Sequence, residues 1–440
     1  MRIVKYLNRI NTILAITITI TTIVWIFLCN NIPIHDSNDI YKSALEVFQG
    51  DYSAFLPGGY MHYHNHQIPL MSVHLFFLKF PMLESYQWIQ ILNALALGVL
   101  IVGIYKILKT IDSDIKVLIL YNVAILFCFP LFFYVTYAYG EILALSASVW
   151  MLYYGIKYLN TNKTLDLFVL FISSFIGFYI RKNIIVIAIA LLCLSFFKWI
   201  NSKKIQMLYV VFPVVLAFLL PTKLVELQFG EYLKEEDTTP MIAYVTMGLQ
   251  ENEYGLGPGG HNSYHVIRFA SDQYDASRAT YNSLYDIKIR LEEMITDIPY
   301  MIKFFHRKLL WQWMNPDYQS LLHTSNFSNK PEGLVKDIYY GEYQENIWKF
   351  MNQYQSIIYL AAFCSFIGLL RKRNSPEAYI FCIVFIGGFL LSLIWESKPR
   401  YTFPYFVMLI PAACQGIYEI GLLLNRCKKT KEQKQNKCLR

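Results

Sequence analysis

The sequence predicts an all-α polytopic membrane protein of about ten transmembrane helices with a small extracytoplasmic domain, mixed α/β or mainly α. Three observations predict it. Of 440 residues, 55% are hydrophobic and only 16% charged, against roughly 25% charged in a soluble domain, and the mean hydropathy is +0.34. The apolar residues gather in blocks of about twenty, the length a helix needs to cross about 30 Å of hydrocarbon. Lys and Arg fall in the short stretches between blocks, so the net charge of +8 reads as membrane topology and not as nucleic-acid binding.

The blocks lie at about 12–30, 88–108, 116–135, 139–157, 165–180, 183–198, 206–222, 355–370, 377–395 and 401–424. No small-residue cleavage site follows Cys29, so the first block reads as an uncleaved span and not a signal peptide. An eleventh apolar stretch, 67–80 (QIPLMSVHLFFLKF), is short for a span and suits an interfacial or re-entrant helix. Charge decides between the two counts. With ten spans and the N-terminus inside, the inner loops carry Arg2, Lys5 and Arg9; Lys106, Lys109 and Lys116; Lys157 and Lys163; Lys198, Lys203 and Lys204; and Arg371, Lys372 and Arg373. The basic tail is inside too. Counting 67–80 would reverse every later loop and break the positive-inside bias.

The chain then divides into a membrane module, 1–222, that includes a first outer loop at 31–87; an extracytoplasmic domain, 223–354; C-terminal transmembrane helices, 355–425; and a basic cytoplasmic tail, 426–440, read as disordered near anionic headgroups. The outer domain is rich in Tyr, Gly and Asn, contains LGPGGHNSY, and has helical spacing over about 283–310. The eight Cys form no CxxC pair or metal spacing, and Cys128, Cys193, Cys364, Cys382 and Cys414 lie within apolar blocks. The expected location is the plasma membrane, with both termini cytoplasmic.

Ionisable groups at the outer membrane surface are the functional candidates, because desolvating them is costly without a partner or a task. In IHDSNDIY, Asp36 and Asp39 follow the first span three residues apart; if Asp39 begins a helix, both carboxylates face one side, or one simply caps that helix. TYAYGE places Tyr139 and Glu141 at the mouth of the fourth span, where a helix-start carboxylate is also favoured by the dipole alone. Arg181 and Lys182, with Lys398 and Arg400 of ESKPRY, put four cations on the outer side against the topological bias. A lipid phosphate would account for them, since Arg binds phosphate through a planar fork and Lys as a point charge; headgroup snorkelling is the ordinary alternative, and Arg400 has Glu396 as a second possible partner. His62, His64 and His66 of HYHNHQ would share one face in a strand, as metal ligands do, although polar loop contacts or substrate hydrogen bonds serve equally.

These residues resemble the GT-C superfamily of integral-membrane glycosyltransferases. The likeness is greatest to its protein mannosyltransferase and lipid A aminoarabinose transferase branch, and within it to cell-envelope members of Gram-positive bacteria. HDSNDIYKSALEVFQGDY is similar to that family's Asp, helix, Gly-Asp pattern, and YHNHQIPLMSVHLFFLKF to the juxtamembrane helix that follows. TYAYGE is similar to its second outer loop, RKN and WESKPRY to the positions near a lipid-linked donor phosphate. No WWDYG occurs, which separates the chain from the oligosaccharyltransferases.

The resemblance implies inverting transfer of a sugar from a polyprenyl-phosphate donor to a cell-envelope glycan, lipid or protein on the extracytoplasmic face, without nucleic acid. It makes Asp36 the general base with Asp39 in reserve. Glu141 would orient the acceptor or, with Asp36, help hold a divalent ion such as Mg or Mn. Arg181, Lys182, Lys398 and Arg400 would stabilise the departing phosphate, and His64, His66, Gln67 and Tyr139 would contact substrate. Two rivals stand beside it. A lipid or sugar transporter would carry ionisable residues or broken helices near the midplane, and a polysaccharide polymerase or ligase would use the late outer loop, here His261, His265, Arg268 and Arg278.

Overall fold

The computed structural model describes residues 2–111, 113–233, 238–252, 255–371 and 375–438. Lys372 and Arg373, counted above among the inner cations, lie outside these. Among the described residues every regular element is a helix, and one isolated bridge, Asn31 to Phe327, is the nearest approach to a strand. Of the two architectures expected for 223–354, its described residues show the helical one.

The membrane part begins with α1 (Arg2–Cys29), followed by α2 (Asp36–Phe48), a single turn α3 (Tyr60–Tyr63) and α4 (Ile68–Leu78). At eleven residues α4 rises only about 16 Å, and it packs on α2 and α5 (Ser85–Thr110). In α2, Ile40, Ala44 and Val47 are buried at i, i+4 and i+7, one face of a helix; burying the Ile and Val side chains is worth about 1.5–3 kcal/mol each. Then come α6 (Ile115–Ala124), α7 (Phe129–Phe133), α8 (Glu141–Thr161), α9 (Thr164–Ile180), α10 (Ile185–Ser202) and α11 (Val211–Phe229).

The second large segment holds α12 (Ile242–Gly248), α13 (Tyr264–Ser271), α14 (Ala276–Thr296), α15 (Ile298–Trp313), α16 (Ser320–His323) and α17 (Gly333–Tyr340). Three long helices close the chain: α18 (Tyr343–Arg371), α19 (Ile380–Ile394) and α20 (Pro399–Cys438). The last runs on as helix to Cys438, into the tail read above as disordered. Its crossing with α18 is close, because a Cβ at Gly416 would land on the Ala361 carbonyl; small residues permit such approach between membrane helices.

Eight helices among the described residues are long and apolar enough to cross a membrane, and two of the ten expected blocks depart from that form. The block at 116–135 bends by 58° between Ile115–Phe127 and Phe129–Thr136, where Pro130 in the first turn of α7 cannot continue the preceding hydrogen-bond ladder. The block at 165–180 is α9, seventeen residues long and about 25 Å in rise. Another departure concerns the second large segment. The Trp313 ring lies 5.4 Å from Phe385 of α19, and fully buried Tyr318 packs on Phe403 and Phe406 of α20 and bonds Tyr359 of α18 at 2.9 Å. Residues 313–318 therefore descend between apolar helices, and are not confined to a separate outer domain.

Candidate functional site

The start of α2 sets the first carboxylate. The helix begins at Asp36, and His35 occupies the N-cap position without a side-chain bond, so neither Asp36 nor Asp39 caps it. Asp36 is thereby free to reach across the molecule. Its Oδ2 accepts from Arg400 Nη2 at 2.8 Å and from the Tyr139 hydroxyl at 3.2 Å. Arg400 follows Pro399, the residue that opens α20, and its Nη1 donates to Tyr137 Oη at 2.8 Å. The alternative pairing of Arg400 with Glu396 does not occur; Lys398 takes Glu396 at 2.8 Å, with the Tyr401 hydroxyl at 3.1 Å and His261 Nδ1 at 3.4 Å.

Gly140 sets the second. It has φ of +89° at the N-cap of α8, a conformation glycine adopts without strain, and turns TYAYGE so that Tyr139 and Glu141 face the same neighbours. Arg181 Nη1 donates to Glu141 Oε1 at 2.7 Å and to the Tyr139 carbonyl at 3.1 Å. The Tyr139 ring lies between the two guanidiniums, 4.5 Å from Arg181 and 4.8 Å from Arg400, a cation–π arrangement that desolvation strengthens. The Tyr139 hydroxyl accepts from Gln67 Nε2 at 2.6 Å while donating to Asp36. Gln67 also stands 3.2 Å from His66 Nε2.

Five segments distant in sequence thus meet: the start of α2, the turn before α4, TYAYGE, and the two turns carrying Arg181 and Arg400. Asp36, Gln67, Tyr139, Glu141, Arg181 and Arg400 form one network, and His66 and Lys398 border it. His64 bonds Tyr244 Oη at 3.1 Å. Asp39 sits one turn along α2, half-buried, its carboxyl raised by that burial and then by the Asp36 charge. Lys182 does not join; exposed at the rim, it points to Thr222 at 3.4 Å.

Burial by itself would raise the Asp36 carboxyl, but Lys398 and Arg400 outweigh it and hold Asp36 well below the usual carboxylate range. Burial pushes His64 down to about 4 and His66 to about 3, so both imidazoles are neutral near pH 7. Beside the network a narrow crevice between α8, α10 and α20 is lined by Glu141, Arg181, Arg400 and Tyr401 at its polar end and by Leu145 and Ile187 beyond.

The histidine trio does not act as a strand face. His62 sits in the α3 turn, stacked 5.3 Å from Phe269, while His64 and His66 take the separate partners above. Among the described residues no three His, Cys, Asp or Glu side chains gather as a metal group, and Asp36 and Glu141 each face a different guanidinium. The arrangement does not fit a divalent ion shared by those two carboxylates. Of the residues tied to the polymerase reading, Arg268 pairs with Asp286 at 2.6 Å and Arg278 is exposed, whereas His261 and His265 border the Glu396 turn.

Sequence reasoning missed Tyr137, Tyr244 and His323. His323 stacks on Tyr137 with ring centroids 4.7 Å apart, and Tyr244 stacks between His265 at 4.5 Å and Trp395 at 5.9 Å. Tyr137 was within reach, two residues before Tyr139; LLHTSN and MIAYVT carry no signal for the others. Fold and site together define a polytopic helical membrane protein with a carboxylate–guanidinium network joining a loop helix to the ends of its apolar helices. No family model matches this chain, and comparisons with curated proteins and with solved structures each return no match.

Proposed function

We propose that this protein is a membrane glycosyltransferase of the GT-C type, moving a sugar from a polyprenyl-phosphate donor to a cell-envelope acceptor on the extracytoplasmic face. In this reading ten helices cross the membrane, the bent α6–α7 pair and α9 included, and both termini are cytoplasmic. The observation that carries it is the pairing of a reachable carboxylate with a buried cation: the Asp36 side chain keeps 34% of its exposure, while Arg400 keeps 2%. A partly exposed carboxylate beside two guanidiniums, with a crevice that runs from a polar end to an apolar one, suits transfer from a lipid phosphate.

The acceptor hydroxyl oxygen attacks the anomeric carbon as the bond from that carbon to the phosphate oxygen breaks. The electron pair leaves with the phosphate, and the hydroxyl proton goes to Asp36. Arg181 and Arg400, joined by Lys398, stabilise the charge that grows on the phosphate; a fork matches phosphate oxygens bidentately. A phosphate that takes the Arg400 fork loosens its hold on Asp36, whose carboxyl then rises toward its ordinary value and becomes a better base.

A transporter is the second reading, supported by the break between Phe127 and Phe129 and the descent of residues 313–318, since irregular backbone among membrane helices is expected where it lines a path. One experiment addresses both. Envelope glycans are compared by composition and mass spectrometry in cells carrying wild-type protein, Asp36→Asn at verified expression, or no gene. Loss of the same sugar substituent in the variant and the deletion is expected. Full decoration with Asp36→Asn removes Asp36 as the base, and an unchanged deletion strain favours transport.

A further inference from the structure

Lys308 is fully buried on α15, an expensive place for an ammonium unless its donors are satisfied. They are satisfied by backbone alone. Its Nζ donates to the carbonyls of Gly248 at 2.5 Å, Leu393 at 2.8 Å and Trp395 at 2.9 Å, which matches three donors to three acceptors. Leu393 and Trp395 lie at the C-terminal end of α19, where the last carbonyls of a helix have no partner within it and a positive charge is favoured by the dipole.

One turn further along α15 the same face continues the work. Gln312 Nε2 donates to the Ser392 carbonyl at 3.0 Å, Trp313 Nε1 bonds Ser392 Oγ at 3.0 Å, and the Gln312 carbonyl accepts from Thr402 Oγ1 at 2.9 Å. From the other side Ser397 N donates to the Gly259 carbonyl at 2.7 Å. Gly259 has φ of +71°, and a Cβ there would run onto the Gly248 carbonyl and come within 3.1 Å of Lys308 Cε. The residues enclosed between these contacts are Glu396, Lys398 and Arg400.

We propose that Lys308 is a positioning residue: from α15 it caps α19 and clamps Gly248, the last residue of α12, to the end of α19 and Trp395, so that Lys398 and Arg400 are aimed at the donor phosphate. Its consequence for binding rests on the donor reading above; the clamp itself does not. An apolar side chain of equal length would leave three buried carbonyls without donors, whereas an amine supplied from solution can replace the lost ammonium.

The test uses the full-length protein in nanodiscs, with two readouts. Lys308→Met should speed amide hydrogen exchange in 395–398 about tenfold and weaken farnesyl phosphate binding about tenfold, the size expected on losing one charged buried hydrogen-bond set. Lys308→Ala should show the same defects and recover with n-propylammonium, while Lys303→Ala, exposed on the same helix, should match wild type. Lys308→Gln, keeping two donors, reads a smaller effect should the Met variant not fold. Unchanged exchange at 395–398 overturns the clamp, and faster exchange with unaltered farnesyl phosphate affinity overturns the positioning role. Wild-type protein that binds no farnesyl phosphate overturns the donor reading, and the exchange readout still decides the clamp.

Discussion

His64, His66 and His265 are all held neutral by burial, at about 4, 3 and 3 respectively, against about 6.5 for a free imidazole. Because the unfolded chain takes up protons first, their contribution to stability is fully present above pH 6.5 and is lost as pH falls from there toward 4 for His64 and toward 3 for His66 and His265. Asp36 and Glu396 also have depressed values, with burial opposing and Lys398 foremost among the causes of the fall, but their contribution is lost only below the ordinary carboxylate range. Thermal unfolding at pH 7.5, 6 and 5 should therefore show falling stability within the histidine window. His265→Phe should reduce the fall in stability between pH 7.5 and pH 5 by about 2 kcal/mol; a curve that is flat down to pH 5 in wild type would reject the assignment.

Among the elements, the turn into α8 is exposed to a single change. A Cβ at Gly140 would meet Ile180 Cγ2 at 2.5 Å, and the φ of +89° already disfavours any side chain. Gly140→Ala should cost about 1–3 kcal/mol and displace Tyr139 from its place between the two guanidiniums, which thermal unfolding and farnesyl phosphate binding would register together. A variant with wild-type stability and affinity would show that the turn tolerates the strain. Helix α4 illustrates what an element's length settles: eleven residues rise about 16 Å, well short of about 30 Å of hydrocarbon, and that shortness was readable from IPLMSVHLFFL. The exact start of α2 was not readable, because Asp36 and Asp39 are both acceptable at a helix N-terminus and the partner that distinguishes them, Arg400, lies 364 positions away.

At the scale of the whole molecule, the topology turns on α9. Lys163 precedes it and Ser271 follows α11, so labelling Lys163→Cys and Ser271→Cys with a membrane-impermeant maleimide, in a background without other cysteines, counts the crossings between them. If α9, α10 and α11 all cross, Lys163→Cys reacts from the inside only and Ser271→Cys from the outside only. Labelling of both from one side would mean that α9, α10 and α11 do not all cross, and the ten-span arrangement would fall. The apolar blocks and the basic loops were visible in the chain because transfer into hydrocarbon depends on local composition. So was the set of charged candidates, since charge beside an apolar block is conspicuous wherever it lies. Which of them meet was settled by packing: Asp36 with Arg400 and not Asp39, Lys398 with Glu396, Lys182 left at the rim, and Lys308 buried under a turn far from it in sequence. Hydrogen bonds and ion pairs act over a few ångströms, and only the folded chain brings such distant residues within that range.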